Sequence, residues 1–131
     1  MQQMTQYDDV VEDVKSYFED FSVKAASYGI KEWILDPGIG FAKTLEQNYE
    51  ILRRLAEFKE LETSAGFCPQ VLVGVSRKSL IYKYFNISPE DSLPATQVLH
   101  MAALQNGADI LRVHDVSEAS RTLSLYRMLA K

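Results

Sequence analysis

The sequence predicts an α/β fold of parallel strands, each followed by a loop and a helix, and three observations predict it. Trp33-Ile34-Leu35, Val71-Leu72-Val73-Gly74-Val75 and Ile110-Leu111-Arg112-Val113-His114-Asp115 have the length and composition of buried strands. Each run discharges into a polar or glycine-rich cluster, and the segments between them carry apolar residues at helical spacing. One strand, loop and helix takes roughly forty residues, a little above the minimum of about thirty for a βαβ unit. Ligands of parallel α/β folds bind at the carboxyl ends of the strands, so those clusters are the candidate site.

In chain order, Val10, Val14, Tyr17, Phe18, Phe21 and Ala25 recur at helical spacing and predict an amphipathic helix from Asp8 to Tyr28. Thr5 and Asp8 are candidate caps and Gly29 a candidate stop. The first strand follows and is ended by the turn chemistry of Asp36-Pro37-Gly38. Gly38 and Gly40 let backbone approach a ligand, and Thr44 with Gln47 reads as a capping box. The second helix runs to about Leu61, with Leu45, Asn48, Tyr49, Leu52, Leu55 and Ala56 inward. Glu50, Arg53, Arg54, Glu57 and Lys59 form its solvated face. Ser64-Ala65-Gly66 and Pro69 connect to the second strand.

After Ser76-Arg77-Lys78-Ser79, the segment Leu80 to Phe85 predicts a short helical turn. Ser88-Pro89-Glu90-Asp91 and Ser92-Leu93-Pro94 are start signals for a helix from Ala95 to Asn106, closed by Gly107. His100 lies inside that helix and has no partner motif, so it reads as a packed residue. A last helix begins at Ser117 and carries Ala119, Leu123, Tyr126 and Met128 or Leu129.

The chain has 131 residues, 47% hydrophobic and 24% charged, the composition of a globular domain with one core. A formal net charge of −4 argues against nucleic acid as a partner. One cysteine, Cys68, excludes an internal disulfide, fits a reducing compartment and has no metal-ligand spacing around it. Met1 to Asp9 has neither the positive nor the apolar region of a signal peptide. No apolar run approaches the roughly 20 residues of a membrane helix, so a cytoplasmic location without membrane contact is expected.

Three parallel strands cannot close a barrel, and an eight-stranded one needs roughly 250 residues, so the chain is about half of that fold. The rival architecture is a small doubly wound sheet, which carries more strands. Either way two sheet edges stay uncovered, and the expectation is a fragment or a chain that completes its core with another copy.

If the strands are parallel neighbours, Asp36, Lys78 and Arg112 converge on one rim. Asp36 is suited to accept two hydrogen bonds from a flat ligand edge bearing adjacent N–H donors, as on a guanidine-like heterocycle. The plain alternative is a turn aspartate before Pro37-Gly38. Lys78 could donate to a ring carbonyl or nitrogen, or be a surface lysine. Arg112 and His114 alternate with Leu111 and Val113 and so share a face, suited to an anionic leaving group such as pyrophosphate. Arg112 could instead pair with Asp115 or Asp109, and Asp115 itself reads as a helix cap.

In this order and spacing, Asp36-Pro37-Gly38-Ile39-Gly40-Phe41-Ala42-Lys43-Thr44, Gly74-Val75-Ser76-Arg77-Lys78-Ser79 and Arg112-Val113-His114-Asp115-Val116 closely resemble the carboxyl-terminal half of the dihydropteroate synthases. The resemblance spans nearly the whole chain. It implies that residues 1–131 are the carboxyl-terminal part of a pterin-binding (β/α)8 TIM barrel, with the sixth, seventh and eighth strands. It further implies a sulfonamide-targeted transferase of folate biosynthesis, condensing a dihydropterin pyrophosphate with p-aminobenzoate to dihydropteroate and pyrophosphate. By resemblance Asp36 holds the pterin's amino-pyrimidine edge, Lys78 contacts the ring, Arg112 lies against it, and Arg112 with His114 binds pyrophosphate. Gly40, Phe41 and Ser79 are the matching p-aminobenzoate contacts. Mg²⁺ and a homodimer belong to the same expectation, with the metal's ligands largely outside this chain and none assigned within it.

Two departures stand out. Ala42 occupies a position where the family commonly has glycine, tolerable if its φ is negative. The motifs of the family's earlier strands are absent, so the isolated chain is expected to be inactive. The alternatives are a pterin-binding methyltransferase barrel and a non-catalytic pterin-binding or assembly module. Ser-Arg-Lys-Ser and Arg-Val-His-Asp favour the synthase over the methyltransferase, because a pyrophosphate leaving group calls for the cationic pair.

Overall fold

Three parallel strands in the order β1-β2-β3 organise the chain: β1 (Ile34–Leu35), β2 (Gln70–Val73) and β3 (Ile110–Leu111). They belong to a computed structural model that describes residues 9–61, 63 and 67–131. The register pairs Ile34 with Gln70, Leu35 with Val71, Leu72 with Ile110 and Val73 with Leu111. Successive strand residues face opposite ways. Leu35, Val71, Val73 and Val75 therefore turn to one face and are fully buried in the core with Ile51, Leu52, Leu55, Phe58, Leu80 and Ile81. Ile34, Leu72 and Ile110 turn to the other, where Ile34 stays 52% exposed.

Five α-helices accompany the strands among the described residues: α1 (Val10–Ser27), α2 (Leu45–Arg53), α3 (Ser79–Phe85), α4 (Leu93–Gln105) and α5 (Val116–Leu129). The sequence predicts about four, with Leu80–Phe85 a short turn; that turn is α3. α1 packs on α2, α2 on α4, and α4 on α5. Parallel crossovers are right-handed, so an unreversed strand order places the connecting helices on one face. That is a barrel wall; a doubly wound sheet reverses its order and covers both faces.

Local chemistry sets the helix ends. The predicted caps Thr5 and Asp8 lie outside the described residues. α1 is capped by Asp9, whose carboxylate accepts from the amides of Val11 and Glu12 at 3.1 Å each. It ends where expected, at Gly29 with φ +78°. Thr44 and Gln47 form the expected reciprocal capping box.

The second helix departs from expectation. α2 stops at Arg53, and Leu55–Glu60 continues as a 3-10 helix. With three residues per turn, positions i and i+3 eclipse. Leu55 and Phe58 thus share the buried face, while Ala56 and Leu45, both expected inward, are exposed. The supposed solvated face also holds an ion-pair hub. Arg54 donates to Asp9 at 3.0 Å, Glu50 at 2.6 Å and Glu57 at 2.6 Å, which ties the start of α1 to α2. Lys59 pairs with Asp109, which also accepts from the Val71 amide at 2.9 Å. Ser64-Ala65-Gly66, the expected connection, lies outside the described residues.

Downstream, Ser88 caps a 3-10 turn (Pro89–Ser92) that runs into α4. His100 is fully buried between α4 and α5, with Nδ1 3.2 Å from Gln97 Oε1, the same oxygen that accepts from Thr122 at 2.8 Å. In α5 Ala119 and Thr122 are buried, but Met128 and Leu129, expected inward, are exposed.

Candidate functional site

The register brings the carboxyl ends of the strands together. Extending the pairing by one residue sets Asp36 beside Leu72 and Arg112 beside Gly74, all on the face opposite the helices. The Arg112 amide donates to the Val73 carbonyl at 3.0 Å, so the ladder holds that far. Gly74 leaves a gap between acid and base. A Cβ there would lie 2.8 Å from Arg112 Cζ, inside contact distance. The guanidinium crosses this gap and donates to Asp36 Oδ2 at 3.0 Å.

Asp36 is the expected turn aspartate before Pro37-Gly38, and both of its oxygens are engaged within the protein. Oδ1 accepts from the Gly38 amide at 2.9 Å, closing the turn, and Oδ2 holds Arg112. Arg112 therefore pairs with neither Asp115 nor Asp109. Lys78 is half-buried rather than a free surface lysine, and its Nζ donates to the Ile39 carbonyl at 2.6 Å. Burial, together with the nearby Arg112 charge, lowers the Lys78 pKa, with Asp36 opposing. Acid, ammonium and guanidinium thus share one lip of the sheet, as the sequence predicts.

The glycine-rich loop from Pro37 to Lys43 is held by α2 and by its own Lys43. Asn48 Oδ1 in α2 accepts the Gly40 amide at 2.7 Å. Lys43 Nζ donates to the carbonyls of Gly38 and Phe41 at 3.0 Å each. Burial lowers the pKa of Lys43, and Lys78 adds to this while Asp36 opposes it. Gly38 and Gly40 have φ of +76° and +86°, the left-handed values that glycine tolerates. Ala42 also has a positive φ, +51°, so the condition under which it would be harmless is not met.

Gly40, Phe41, Lys78 and Ser79 line one cleft of about 320 Å³ with Arg77 and Tyr82. Phe41 is 70% exposed beside it, an aromatic face open to a flat ligand. A wider groove of about 610 Å³ lies along Trp33, Ile34, Phe67 and Gln70, at the amino ends of β1 and β2 and away from the charged lip. Chemistry favours the smaller cleft.

Arg112 and His114 are both exposed while Leu111 and Val113 are half-buried, so the predicted alternation holds. His114 Nδ1 lies 2.8 Å from Ser76 Oγ, which links the loops after β3 and β2. Asp115 occupies the cap position of α5 but makes no side-chain cap bond. It accepts from Arg77 at 2.7 and 3.0 Å instead.

Arg77, Lys43, Asn48, Gly74 and Ser76 are the residues that sequence reasoning left without a role. The doublet Arg77-Lys78 was one signal, since two adjacent cations need different partners. Asn48 on an otherwise apolar helix face was another. Among the described residues no three His, Cys, Asp or Glu side chains gather as a metal site. The magnesium implied by resemblance finds no ligand set in them.

Residues 1–114 match the family model described as pterin binding enzyme. The chain is 41% identical over 120 residues to the dihydropteroate synthase of Escherichia coli (strain K12), covering 90% of this chain and 40% of that protein. Its fold superposes on the Yersinia pestis dihydropteroate synthase solved with a sulfonamide drug complex, with TM-score 0.88 and 31% identity, over 98% of this chain and 46% of that one. It also superposes on the dihydropteroate synthase of Thermus thermophilus at 36% identity. With 6HMPPP bound the TM-score is 0.84, covering 95% and 49% of the two chains. With 4-aminobenzoate bound it is 0.86, covering 98% and 48%. The chain spans less than half the length of each of these relatives.

Proposed function

This chain belongs to the pterin binding enzyme family, and on that premise we propose that it supplies the pterin and pyrophosphate lip of a dihydropteroate synthase. Residues 1–131 are read as the carboxyl-terminal part of the (β/α)8 barrel. The observation that carries this is the Asp36 carboxylate bonded to Arg112 at 3.0 Å across the Gly74 gap, with Lys78 beside them. A carboxylate that accepts a guanidinium in the free protein has the geometry to accept the guanidine-like edge of an amino-pterin.

In the proposed reaction the arylamine nitrogen of p-aminobenzoate forms a bond to the exocyclic methylene carbon of the dihydropterin. The carbon–oxygen bond to pyrophosphate breaks, and the amine's surplus proton passes to water. Asp36 fixes the pterin edge and Lys78 donates to the ring. Arg112, released from Asp36, lies against the ring and joins His114 in stabilising the charge that develops on pyrophosphate. Gly40, Phe41 and Ser79, around the 320 Å³ cleft, hold the p-aminobenzoate. The protein's contribution is positioning and electrostatic stabilisation, with no covalent nucleophile.

Magnesium is assigned to groups other than the described residues, and no step here passes through it. The same reading gives a cytoplasmic homodimer. No described helix is long and apolar enough to cross a membrane.

Calorimetry with an amino-pterin analogue tests the assignment. The chain is expected to bind it, and Asp36→Asn is expected to lose at least tenfold, since a bidentate charge-assisted contact contributes about 1.5–3 kcal/mol. Equal affinity of the two proteins would refute the role of Asp36. The purified 131-residue chain is expected to show negligible turnover of dihydropterin pyrophosphate with p-aminobenzoate; measurable dihydropteroate would overturn that expectation.

A further inference from the structure

Two contacts bind the loop after β2 to the loop after β3. Ser76 Oγ meets His114 Nδ1 at 2.8 Å and accepts the His114 amide at 3.4 Å. One residue further along each loop, Arg77 Nη2 and Nε donate to Asp115 Oδ1 and Oδ2 at 2.7 and 3.0 Å, a two-pronged pair. The planar guanidinium fork fixes distance and orientation together, which a single ammonium contact does not.

The pair is made at the expense of what each residue would otherwise do. Asp115 stands at the cap position of α5, yet its carboxylate takes no bond from that helix. Arg77 has φ +54°, a left-handed backbone that side-chain-bearing residues resist. Its amide donates to Thr96 Oγ1 in α4 at 3.2 Å, and the Lys78 amide donates to the Val75 carbonyl at 3.1 Å, so the turn is braced as well. Arg77 is also a cation whose charge is answered within the protein. Lys78 and His114 have no acidic partner among the ion pairs of the described residues, and Arg112 joins them for an anionic ligand once it is released from Asp36.

The residues flanking the pair are those with assigned roles. Lys78 and Ser79 follow Arg77, and Arg112 and His114 precede Asp115. We propose that Arg77 and Asp115 are positioning residues: their bidentate pair sets the separation of the p-aminobenzoate side of the site from its pyrophosphate side. This rests on the proposed function for what the two sides bind. Transfer requires the amine aligned with the leaving group, and a misplacement of about 1 Å can lower the rate by about 10²-fold.

Binding of inorganic pyrophosphate to the 131-residue chain, measured by calorimetry, is the test. Arg77→Asn removes the guanidinium with a residue that tolerates the left-handed backbone, and Asp115→Asn removes the acceptor charge. A purely electrostatic role predicts opposite signs, with Arg77→Asn weakening the anion and Asp115→Asn tightening it. Positioning predicts that both weaken it, by roughly five- to tenfold, and that the double variant loses no more than either single one. Tighter binding by Asp115→Asn, or additive losses in the double variant, overturns the proposal.

Amide hydrogen exchange at Lys78 and His114 gives a ligand-free readout, with the amides of β2 as the control for folding. Both variants are expected to exchange faster at these two positions with β2 unchanged. Unchanged exchange at both overturns the positioning role. If the parent chain binds no pyrophosphate, the assignment of the anion site fails while the exchange result still decides the clamp.

Discussion

Ala42 and Gly74 show how single backbone positions govern the lip. At φ +51°, Ala42 holds a conformation that costs an L-residue about 1–2 kcal/mol. Glycine there relieves that strain but adds unfolded-state entropy of about 0.4–1 kcal/mol. Ala42→Gly is therefore expected to stabilise the chain by about 0.5 kcal/mol, and a lowered thermal midpoint would contradict the strain argument. Gly74→Ala acts through a different cause. Its Cβ would collide with the end of a flexible, exposed side chain, so the fold should survive while Arg112 is driven off Asp36. The expected result is a thermal midpoint near the parent's with reduced affinity for an amino-pterin in calorimetry, because the displaced guanidinium no longer lies against the ring; parental affinity would mean that Arg112 can bypass the new methyl group.

At the scale of elements, the helix layer is held by contacts that respond to acid in one direction. Burial lowers the pKa of His100 between α4 and α5, with Asp115 opposing. A histidine whose folded pKa lies below its unfolded value of about 6.5 leaves stability intact above that pH. Stability then declines as pH falls, because the unfolded chain takes up the proton more readily. The carboxylates come next. The Glu12 amide and Arg54 hold Asp9 below the usual range, Arg54 does so for Glu57, and Arg77 for Asp115. Their contribution is complete above about pH 4 and is lost as pH drops through the lowered values. Denaturant midpoints against pH should thus fall in two stages, and His100→Gln should abolish the stage that begins near pH 6.5. Persistence of that stage in the variant would assign it elsewhere.

For the molecule as a whole, what matters is the surface left without cover. One face of a three-stranded sheet carries Ile34 at 52% exposure, and on α4 and α5 Val98, Val116, Leu125, Met128 and Leu129 are exposed. Apolar side chains left exposed on the sheet face and on these helices offer surface that a second copy can cover. Light scattering is expected to show concentration-dependent self-association of the 131-residue chain, and a monomer at all concentrations would count against the homodimer expected by resemblance.

What the sequence determined by itself was governed by near neighbours. Turn chemistry placed Asp36 at the end of the first strand, period-two alternation put Arg112 and His114 on one face, the spacing of Thr44 and Gln47 closed a capping box, and Gly29 ended α1. Such features depend on residues a few positions apart, whose geometry the backbone fixes once the element forms. The order of strand, loop and helix was legible for the same reason.

Tertiary structure alone decided which charges answer one another. Arg112 reaches Asp36 across 76 residues, Arg54 reaches Asp9 across 45, and Arg77 reaches Asp115 across 38. Arg112 and Arg77 had acidic candidates nearer in sequence, and their partners were fixed only when the parallel register brought the loops to one lip, whereas Arg54 adds Asp9 to its local partners Glu50 and Glu57. The left-handed backbones of Ala42 and Arg77 and the 3-10 turn at Leu55 were settled in the same way. Local preference opposes a positive φ at either residue, and the contacts around the assembled loops outweigh it.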